Sequence, residues 1–434
     1  MSNKTETKVD TGAEMYRWAQ ALFPIHRTIT GAGVRETLDY LGNLLPGLIV
    51  HAVPSGTQAF DWTVPDEWTI RDAYIADEAG NKVVDYTNHN LQVVGYSEPV
   101  DTWLSLAELD EHLYSLPEQP DAIPYVTSYY DRHWGFCLSH HHREKLPAGR
   151  YHAVIDSDLQ PGVLNYGELI LPGQEDSEVL LSTYICHPSM ANNELSGPVV
   201  TAALAQWLQS LKNRRFTYRI VFVPETIGAI VYLSKNSGHM KQKTIAGFEI
   251  SCVGDDRAYS FLPSRKGGTL ADRVAEQTLK QHGVDYARYS FLDRGADERQ
   301  YCSALIDLPV VLVMRTKFGS YPEYHTSLDD LSVISPAGLA GAFNILQSCV
   351  LALEANYVYR ATIPCEPQLG RRGIKPTLST KNVVVPRTLM NVLAYADGQT
   401  DLLAISEIIG VDMMECAAAA VRLEQEGLLE KVAL

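Results

Sequence analysis

The chain has 434 residues, of which 46% are hydrophobic and 20% are charged, and its formal net charge is −16. This length predicts two or three domains rather than one core. The acidic balance argues against a general nucleic-acid binder and against docking on anionic membranes. The first residues are too polar for a signal peptide, and no apolar run approaches the roughly 20 residues that span a bilayer, so we expect a cytoplasmic protein without a membrane partner.

The first part of the chain combines helices with a strand-rich segment. Two helices are predicted over 13–23 and 33–44. From His51 onward, alternating apolar residues and polar turns predict short strands, at 60–64, 70–75 and 91–94. We therefore expect a small β domain over 49–123 that is inserted after the N-terminal helices.

The pattern changes to alternating strands and helices from about Pro124. Strands are predicted at 151–154, 163–166, 178–183, 218–223 and 308–313, and helices at 197–212, 228–237, 269–282 and 336–355. This alternation predicts a mostly parallel sheet flanked by helices, in an α/β domain made of 1–48 and 124–357. Ligands of such sheets bind at the carboxyl ends of the strands.

Three helices and a short strand are predicted in the last segment, 358–434, at 387–396, 401–409, 411–425 and 428–432. This order is typical of a winged helix. The expected recognition helix carries one arginine against three acids. Because affinity for DNA depends mainly on neutralising phosphates, a DNA-binding regulator is the less favoured function, and protein contact or domain packing is favoured.

Two polar residues directly follow predicted strands. His187 comes after the strand 178–183, and Glu225 comes after the strand 218–223. A neutral imidazole at a strand end suits a zinc ligand, although a lone His is more often a hydrogen-bonded structural residue. A carboxylate shielded by apolar neighbours has a raised pKa and suits a general base; it equally suits the N-terminus of the next helix.

A second polar group lies further along the chain. His325 follows the strand 308–313 after a Gly-Ser loop, and it is interpreted as a metal ligand with Tyr324 beside it as a substrate contact. Asp297 and Glu298 lie in a polar turn that opens a helix. They either bind a substrate amine, support the metal, or form a helix-capping pair.

Five short strings carry a resemblance to a known family: RTITG at 27–31, DWTVP at 61–65, WGFC at 134–137, CHPS at 186–189 and YHTSLDD at 324–330. With these strings the chain resembles the clan of zinc aminopeptidases and glutaminyl cyclases, and more closely the bacterial aminopeptidase-like domain proteins. The resemblance covers essentially the whole chain. It implies a zinc-aminopeptidase-like α/β fold with an inserted small β domain and a C-terminal winged-helix domain.

The resemblance also implies roles for single residues. His187 and His325 match zinc-binding histidines of the clan, and Glu225 matches its general base. Asn193 stands where the clan has an Asp that bridges two metal ions, and Thr226 stands where it has a Glu ligand. Because an amide carries no charge and a threonine is a poor zinc ligand, the resemblance implies one zinc ion rather than two.

The remaining sites complete this assignment. Glu249 falls near the clan's third carboxylate ligand, and Glu194 is the alternative if the turn shifts. The expected metal set is His187, His325, Asn193 and Glu249. Asp297 matches a clan Asp near the substrate pocket, and with Glu298 and Tyr324 it forms the expected substrate contacts.

The predicted function is a zinc-dependent amide or peptide hydrolase that acts on a small amide or a free N-terminus, with Glu225 as the general base. The alternative is a catalytically lapsed protein that binds a small molecule on the same fold. The expected partners are a small-molecule or peptide substrate and a second copy of the chain, and not nucleic acid or membrane.

Overall fold

A computed structural model describes residues 10–372 and 387–432 of the chain. The chain folds as two compact units. The first unit comprises the chain up to Asp272 together with Tyr286–Asn344, and the second comprises Arg273–Asp285 together with the chain from Ile345 onward. The predicted domain boundaries, 1–48 with 124–357, 49–123 and 358–434, stay a prediction.

The helices of the described residues, in chain order, are α1 (Thr11–Leu22), α2 (Ala32–Leu44), α3 (Leu106–Asp110), α4 (His140–Glu144), α5 (Ser196–Ser210), α6 (Ile227–Lys243), α7 (Leu270–Gln281), α8 (Glu298–Tyr301), α9 (Pro336–Ala355), α10 (Arg387–Tyr395), α11 (Leu402–Ile409) and α12 (Met413–Gln425). The strands are β1 (Ile49–Pro54), β2 (Gln58–Ala59), β3 (Trp62–Thr63), β4 (Glu67–Ala76), β5 (Lys82–Asp85), β6 (Val100–Ser105), β7 (Leu113–Tyr114), β8 (Phe136–Cys137), β9 (Arg150–Gln160), β10 (Val163–Leu171), β11 (Glu178–Tyr184), β12 (Thr217–Val223), β13 (Thr244–Glu249), β14 (Ser260–Leu262), β15 (Ala287–Arg288), β16 (Val310–Met314), β17 (Val358–Ala361), β18 (Asp397–Asp401) and β19 (Leu429–Lys431).

An eight-stranded sheet forms the centre of the first unit, in the order β1-β10-β12-β11-β13-β16-β14-β15. Its middle strands β12, β11, β13 and β16 run parallel. Three pairs among its described strands are antiparallel: β1 with β10, β10 with β12, and β14 with β16. Every residue of β11 is buried, as expected for a parallel strand covered on both faces. The α/β prediction with a mostly parallel sheet flanked by helices is confirmed.

A glycine brings α5 close to this sheet. A Cβ added to Gly197 would lie 2.3 Å from the Ile250 carbonyl oxygen and 2.4 Å from Thr183 Oγ1. Only a residue without a side chain allows this approach, so the Ser-Gly pair at the start of α5 seats the helix on the strand ends.

The inserted β structure is a four-stranded antiparallel sheet in the order β5-β4-β9-β6. Two strands, β1 and β9, belong to other sheets than the sequence predicted. β1, inside the predicted 49–123 segment, pairs with β10 in the central sheet, and β9, which the apolar pattern assigned to the α/β region, pairs with β4 and β6. Buried residues alternate along β9, as in a strand with one covered face, and this alternation does not identify the sheet that a strand joins.

Two predicted strands of the insert are wrong in detail. The segment 91–94 begins in a 3-10 turn, Asn90–Gln92, because the His89 ring accepts a hydrogen bond from the Leu91 backbone and closes the chain locally. The segment 60–64 is interrupted at Phe60, where φ is +53°, so the chain makes a tight β2-β3 hairpin.

The second unit contains a three-stranded antiparallel sheet, β18-β17-β19, with helices α10, α11 and α12. Helix α11 begins at the cap Asp401 and ends at Gly410, whose φ of +66° closes the helix in the left-handed conformation. The three predicted helices and the terminal strand are all present, so the winged-helix prediction is confirmed.

One helix corrects the expectation about apolar runs. Helix α9 has 20 residues and contains an 18-residue window with a mean hydropathy of 1.5, so by length and composition it could cross a membrane. Within its apolar window 56% of the residues are buried inside the protein. A mostly buried core helix passes the same test, and the feature is weak evidence for a membrane span.

Candidate active site

The site begins where two neighbouring parallel strands end. β11 and β12 are paired up to Tyr184 and Val223, so the residues that follow them emerge at the same edge of the sheet. His187 comes three residues after the first strand and Glu225 two residues after the second. The distance between His187 Nε2 and Glu225 Oε2 is 3.5 Å. The two residues that the sequence placed at strand ends therefore meet.

Buried charged groups contact the Nδ1 atom and the backbone carbonyl of His187. Its Nδ1 lies 2.7 Å from Glu194 Oε2, and its carbonyl oxygen accepts a 3.1 Å hydrogen bond from Arg27 Nε. Burial and the Arg27 guanidinium lower the pKa of His187 to about 3, so the ring is neutral. Burial raises the pKa of Glu194 to about 8, and Arg27 opposes that rise. With Nδ1 engaged by Glu194, Nε2 is directed at Glu225.

Glu225 is a half-buried carboxylate, with 19% of its side chain exposed. Its Oε1 lies 3.6 Å from Arg299 Nη2, and its backbone N–H donates to Cys186 Sγ at 3.2 Å. Burial raises its pKa to about 7, helped by the nearby Glu194 and opposed by Arg299. A carboxylate with this pKa accepts protons effectively near neutral pH.

The backbone after Glu225 is strained. Thr226 has φ of +65°, a conformation that a β-branched residue rarely adopts. Its N–H donates to Asp297 Oδ1 at 2.7 Å, and its Oγ1 accepts from Arg299 Nη2 at 2.6 Å. Such strain persists where surrounding contacts fix it, and here they fix the direction in which Glu225 points.

His325 faces His187. The two ring centroids are 5.4 Å apart. His325 has φ of +57°, and the Tyr324 ring stacks on its imidazole with centroids 3.9 Å apart. Tyr125 donates from its backbone to the His325 carbonyl oxygen at 2.9 Å. Burial and the neighbouring His187 lower the pKa of His325 to about 3, so it is a neutral imidazole.

These groups open into a cleft of about 350 Å³, within the size range of small-molecule sites. Its lining residues are Ile29, Trp62, Tyr125, Thr127, Tyr129, Tyr130, His187, Glu225, Thr226, Ile227, Arg299 and His325. Sequence reasoning missed the aromatic wall and Arg299. The signals available were the run YVTSYY at 125–130 and the position of Arg299 directly after Asp297 and Glu298.

Asn193 and Glu249, the other two predicted metal ligands, do not line this cleft. Asn193 is 1% exposed, and its Oδ1 accepts a 3.3 Å hydrogen bond from the Tyr184 hydroxyl. Its backbone N–H donates to Asp329 Oδ2 at 2.9 Å. Glu249 is completely buried at the end of β13. The metal roles of His187, His325, Asn193 and Glu249 stay a prediction.

Of the three predicted substrate contacts, two are completely buried and one is half-buried. Asp297 and Glu298 are completely buried and are not among the cleft-lining residues. Asp297 accepts from the Thr226 backbone, and Glu298 accepts from the Gly295 backbone at 2.8 Å. Tyr324 is half-buried behind His325. Their substrate-binding roles also stay a prediction.

The donor chemistry around the cleft fits a metal cation. Both carboxylate oxygens of Glu249, Oδ2 of Asp297 and Oε2 of Glu298 are buried without a hydrogen-bond partner. Burial raises the pKa of Glu249 and Asp297 well above the usual range, and the like charge of Glu225 adds to the effect. Buried carboxylates of this kind either keep a proton or lie near a cation.

One compact group of potential ligand atoms stands out within residues 10–372 and 387–432. Cys186, His187 and Glu194 offer ligand atoms that all lie within 4.8 Å of one another. Arg27 Nε lies 3.9 Å from Glu194 Oε1, and burial raises the pKa of the Cys186 thiol. A neutral thiol and an adjacent guanidinium disfavour a metal ion in this group. The Glu194 contact instead resembles the carboxylate support of metal-binding histidines, which fits a cation on the Nε2 side.

Comparison with known proteins identifies the family of the chain. Residues 16–356 match a family model described as "Domain of unknown function (DUF4910)". The chain belongs to this family. Residues 357–431 match a winged helix-turn-helix model.

Relatives extend over the whole chain. A Clostridium acetobutylicum protein, named as a candidate polysaccharide biosynthesis protein with an aminopeptidase-like domain, is 40% identical over 426 residues, covering 98% of this chain and 97% of its own. A crystal structure of a candidate peptidase from Clostridium acetobutylicum has a TM-score of 0.92 at 38% identity, covering 98% of this chain and 97% of that one.

A more distant structure shares its fold with most of the chain. A zinc aminopeptidase from Bacillus subtilis has a TM-score of 0.60 at 12% identity, covering 79% of this chain and 94% of its own. At this identity the likeness shows the fold alone. The chain therefore has an aminopeptidase-like fold followed by a winged helix, as its resemblance implied.

Proposed function

We propose that the protein is a zinc-dependent amide hydrolase of the aminopeptidase-like type. The observation that carries the proposal is the placement of Glu225. A carboxylate whose pKa is raised to about 7 lies 3.5 Å from His187 Nε2 and lines the cleft. Proton acceptors near neutral pH, neutral histidines and a substrate-sized cleft are the parts that such a hydrolase needs.

The residues that would hold zinc are His187 and His325, both neutral imidazoles, with oxygen ligands supplied by the remaining predicted set. When bound, a zinc ion supplies Lewis-acid polarisation of the amide carbonyl and acidification of water. Glu194 contributes by holding Nδ1 of His187, which leaves Nε2 available.

The chain's own groups carry the proton transfers. Glu225 accepts a proton from the attacking water while the water oxygen forms a bond to the amide carbon. The same carboxyl group returns the proton to the nitrogen as the C–N bond breaks, so the products are a carboxylic acid and an amine. Asp297 holds the Thr226 backbone at 2.7 Å and so keeps Glu225 in position throughout.

The substrate is a small amide or a peptide. We expect the chain to form homo-oligomers and to bind neither nucleic acid nor membrane. The relative from Clostridium acetobutylicum carries a name from polysaccharide biosynthesis. On that basis we favour an amide-bearing biosynthetic intermediate over peptides from protein breakdown.

Elemental analysis tests the metal assignment. We expect about one zinc per chain in protein purified without chelator or affinity histidines, since one pair of histidines lines the cleft. The variants His187→Ala and His325→Ala should lose most of it. His141→Ala is the matched control, because that histidine is 50% exposed and bonds to Asp121. Protein without zinc, even after zinc is added, would rule out the mechanism.

A second candidate function is small-molecule binding without turnover. Two positions favour it. Asn193 Oδ1 accepts from Tyr184, and Thr226 Oγ1 accepts from Arg299, so at both positions an uncharged side chain is engaged by the protein. Ligands that raise the melting temperature but are recovered intact after long incubation with zinc-loaded protein would support this function over hydrolysis.

A further inference from the structure

We propose that Arg299 binds a carboxylate next to the scissile amide, so that the substrate is an N-acylated α-amino acid rather than a peptide with a free amino terminus. This inference rests on the proposed hydrolase function and narrows its substrate. It assigns a specificity role to a residue that the sequence motifs did not include.

Arg299 presents unused hydrogen-bond donors to the cleft. The residue lines the cleft, and 38% of its side chain is exposed. Its Nη2 donates to Thr226 Oγ1 at 2.6 Å, while Nε is buried without a partner. A guanidinium has five N–H groups, and its planar fork matches a carboxylate. The contact with Thr226 fixes the side chain. The buried Nε cannot reach the cleft, and the exposed part of the guanidinium is the part available to an anion.

Apart from Glu225, no acid among the described residues lines the cleft to recognise a free amine. Among its lining residues Glu225 is the one acid and Arg299 is the one lysine or arginine. Asp297 and Glu298, the acids expected to bind an amine, are completely buried and bond to backbone N–H groups. An ammonium group in the cleft would have to compete with Arg299 for the carboxylate that serves as the base.

The position of Arg299 limits where the substrate anion can be. Its Nη2 lies 3.6 Å from Glu225 Oε1. Because Glu225 must reach the reacting amide, an anion bound by Arg299 lies close to that amide. The α-carboxylate of an N-acylated amino acid is a carboxylate close to its amide.

The other side of the cleft suits an apolar side chain. The rings of Trp62 and Tyr130 meet edge to face with centroids 5.6 Å apart, and both residues line the cleft. Trp62 is 39% and Tyr130 51% exposed, although both are large aromatic residues. Exposed aromatic side chains beside a charged anchor favour a ligand with a ring or acyl face to stack against them.

Calorimetric binding to the full-length Glu225→Gln protein tests the inference without turnover. The probes are N-acetyl-L-phenylalanine and N-acetyl-L-phenylalaninamide, which differ in one charge. We expect the acid to bind about tenfold or more tightly than the amide, on the scale of a charge-assisted hydrogen bond. Adding Arg299→Gln should abolish the preference, and Arg299→Lys should keep part of it as a point charge.

Arg294→Gln is the matched control, because Arg294 is exposed, lies five residues away and does not line the cleft. It should keep the full preference. Equal binding of acid and amide, failure of both to bind at millimolar concentration, or a preference that survives Arg299→Gln would overturn the inference.

Turnover by the wild-type protein separates this inference from the proposed function. Hydrolysis of a free-amine dipeptide such as L-Phe-Gly, together with equal binding of the two acetylated probes, would leave the hydrolase intact and refute the role of Arg299. A preference for the acid that depends on Arg299, in a protein that hydrolyses no amide, would support the anion site and refute the hydrolase.

Discussion

The two ends of the central sheet hold their acids in opposite ways. At the amino end of β11, Glu178 is 5% exposed and bonds to Arg219 through both oxygens, at 2.8 and 2.9 Å, and to His239 at 2.8 Å. Burial favours a higher pKa for Glu178, but these partners lower it. At the carboxyl end, Glu249 and Asp297 are buried with unpaired oxygens and raised pKa values.

The difference separates a structural end of the sheet from a functional one. Removing one partner of a buried ion pair destabilises the fold, whereas an unpaired buried acid costs stability and is retained where chemistry uses it. Glu225 has the intermediate position that catalysis needs, half-buried and in contact with the cleft. Three substitutions, each from a carboxyl group to an amide, test the comparison.

The largest effect is expected for Glu225→Gln at the carboxyl end. Removing a general base should lower kcat by roughly 100-fold or more, while zinc content and stability stay near the wild-type values. Hydrolysis of an N-acylated amino acid or amide, followed by amine release, provides the measurement. Glu98→Gln is the control, because Glu98 pairs with Arg132 outside the cleft. A Glu225→Gln protein as fast as wild type would remove Glu225 from the mechanism.

The second effect is expected for Glu178→Gln at the amino end. Loss of the charge weakens the bonds with buried Arg219, so the free energy of unfolding should fall by about 2 kcal/mol, with kcat unchanged. All six tryptophans lie in the first unit, so their fluorescence in urea reports its unfolding.

The variant Glu175→Gln is the comparison for Glu178→Gln in this measurement. Glu175 pairs with Arg215, but 40% of its side chain is exposed, and we expect a smaller loss. Because the folded-state pKa of Glu178 is lowered, its stabilising effect is present above its unfolded pKa and is lost as pH falls through the folded value. A wild-type advantage over Glu178→Gln that grows toward acid pH would contradict this.

The smallest effect is expected for Asp297→Asn, and it has the opposite sign. The folded-state pKa of Asp297 is raised, so its stabilising contribution is present at low pH and is lost as pH rises through that value. The amide oxygen of Asn can still accept from Thr226. Urea unfolding at pH 6 and pH 9 is the measurement, and we expect the stability of Asp297→Asn relative to wild type to be higher at pH 9. The same difference at both pH values would show that the pKa of Asp297 is not raised in the folded protein.

Local sequence patterns were enough to identify the main elements of the fold. The helices α5, α7 and α9 and the strands β11, β12 and β16 lie close to their predicted positions, because continuous apolar runs and helical spacing reflect burial directly. The positions of His187 and Glu225 at strand ends followed from the same runs. The inserted sheet was harder, since β1 and β9 carry patterns that suit either sheet.

The sequence by itself determined the α/β class, the winged helix and the edge of the sheet where the site lies. Strand periodicity and the order of strands and helices are written in local residue spacing, and parallel strands bring their carboxyl ends together. Only the tertiary structure decided which polar groups share the cleft. Arg299, Trp62 and Tyr130 come from distant segments, and the burial of Asp297 and Glu298 depends on what packs over them, which no local pattern records.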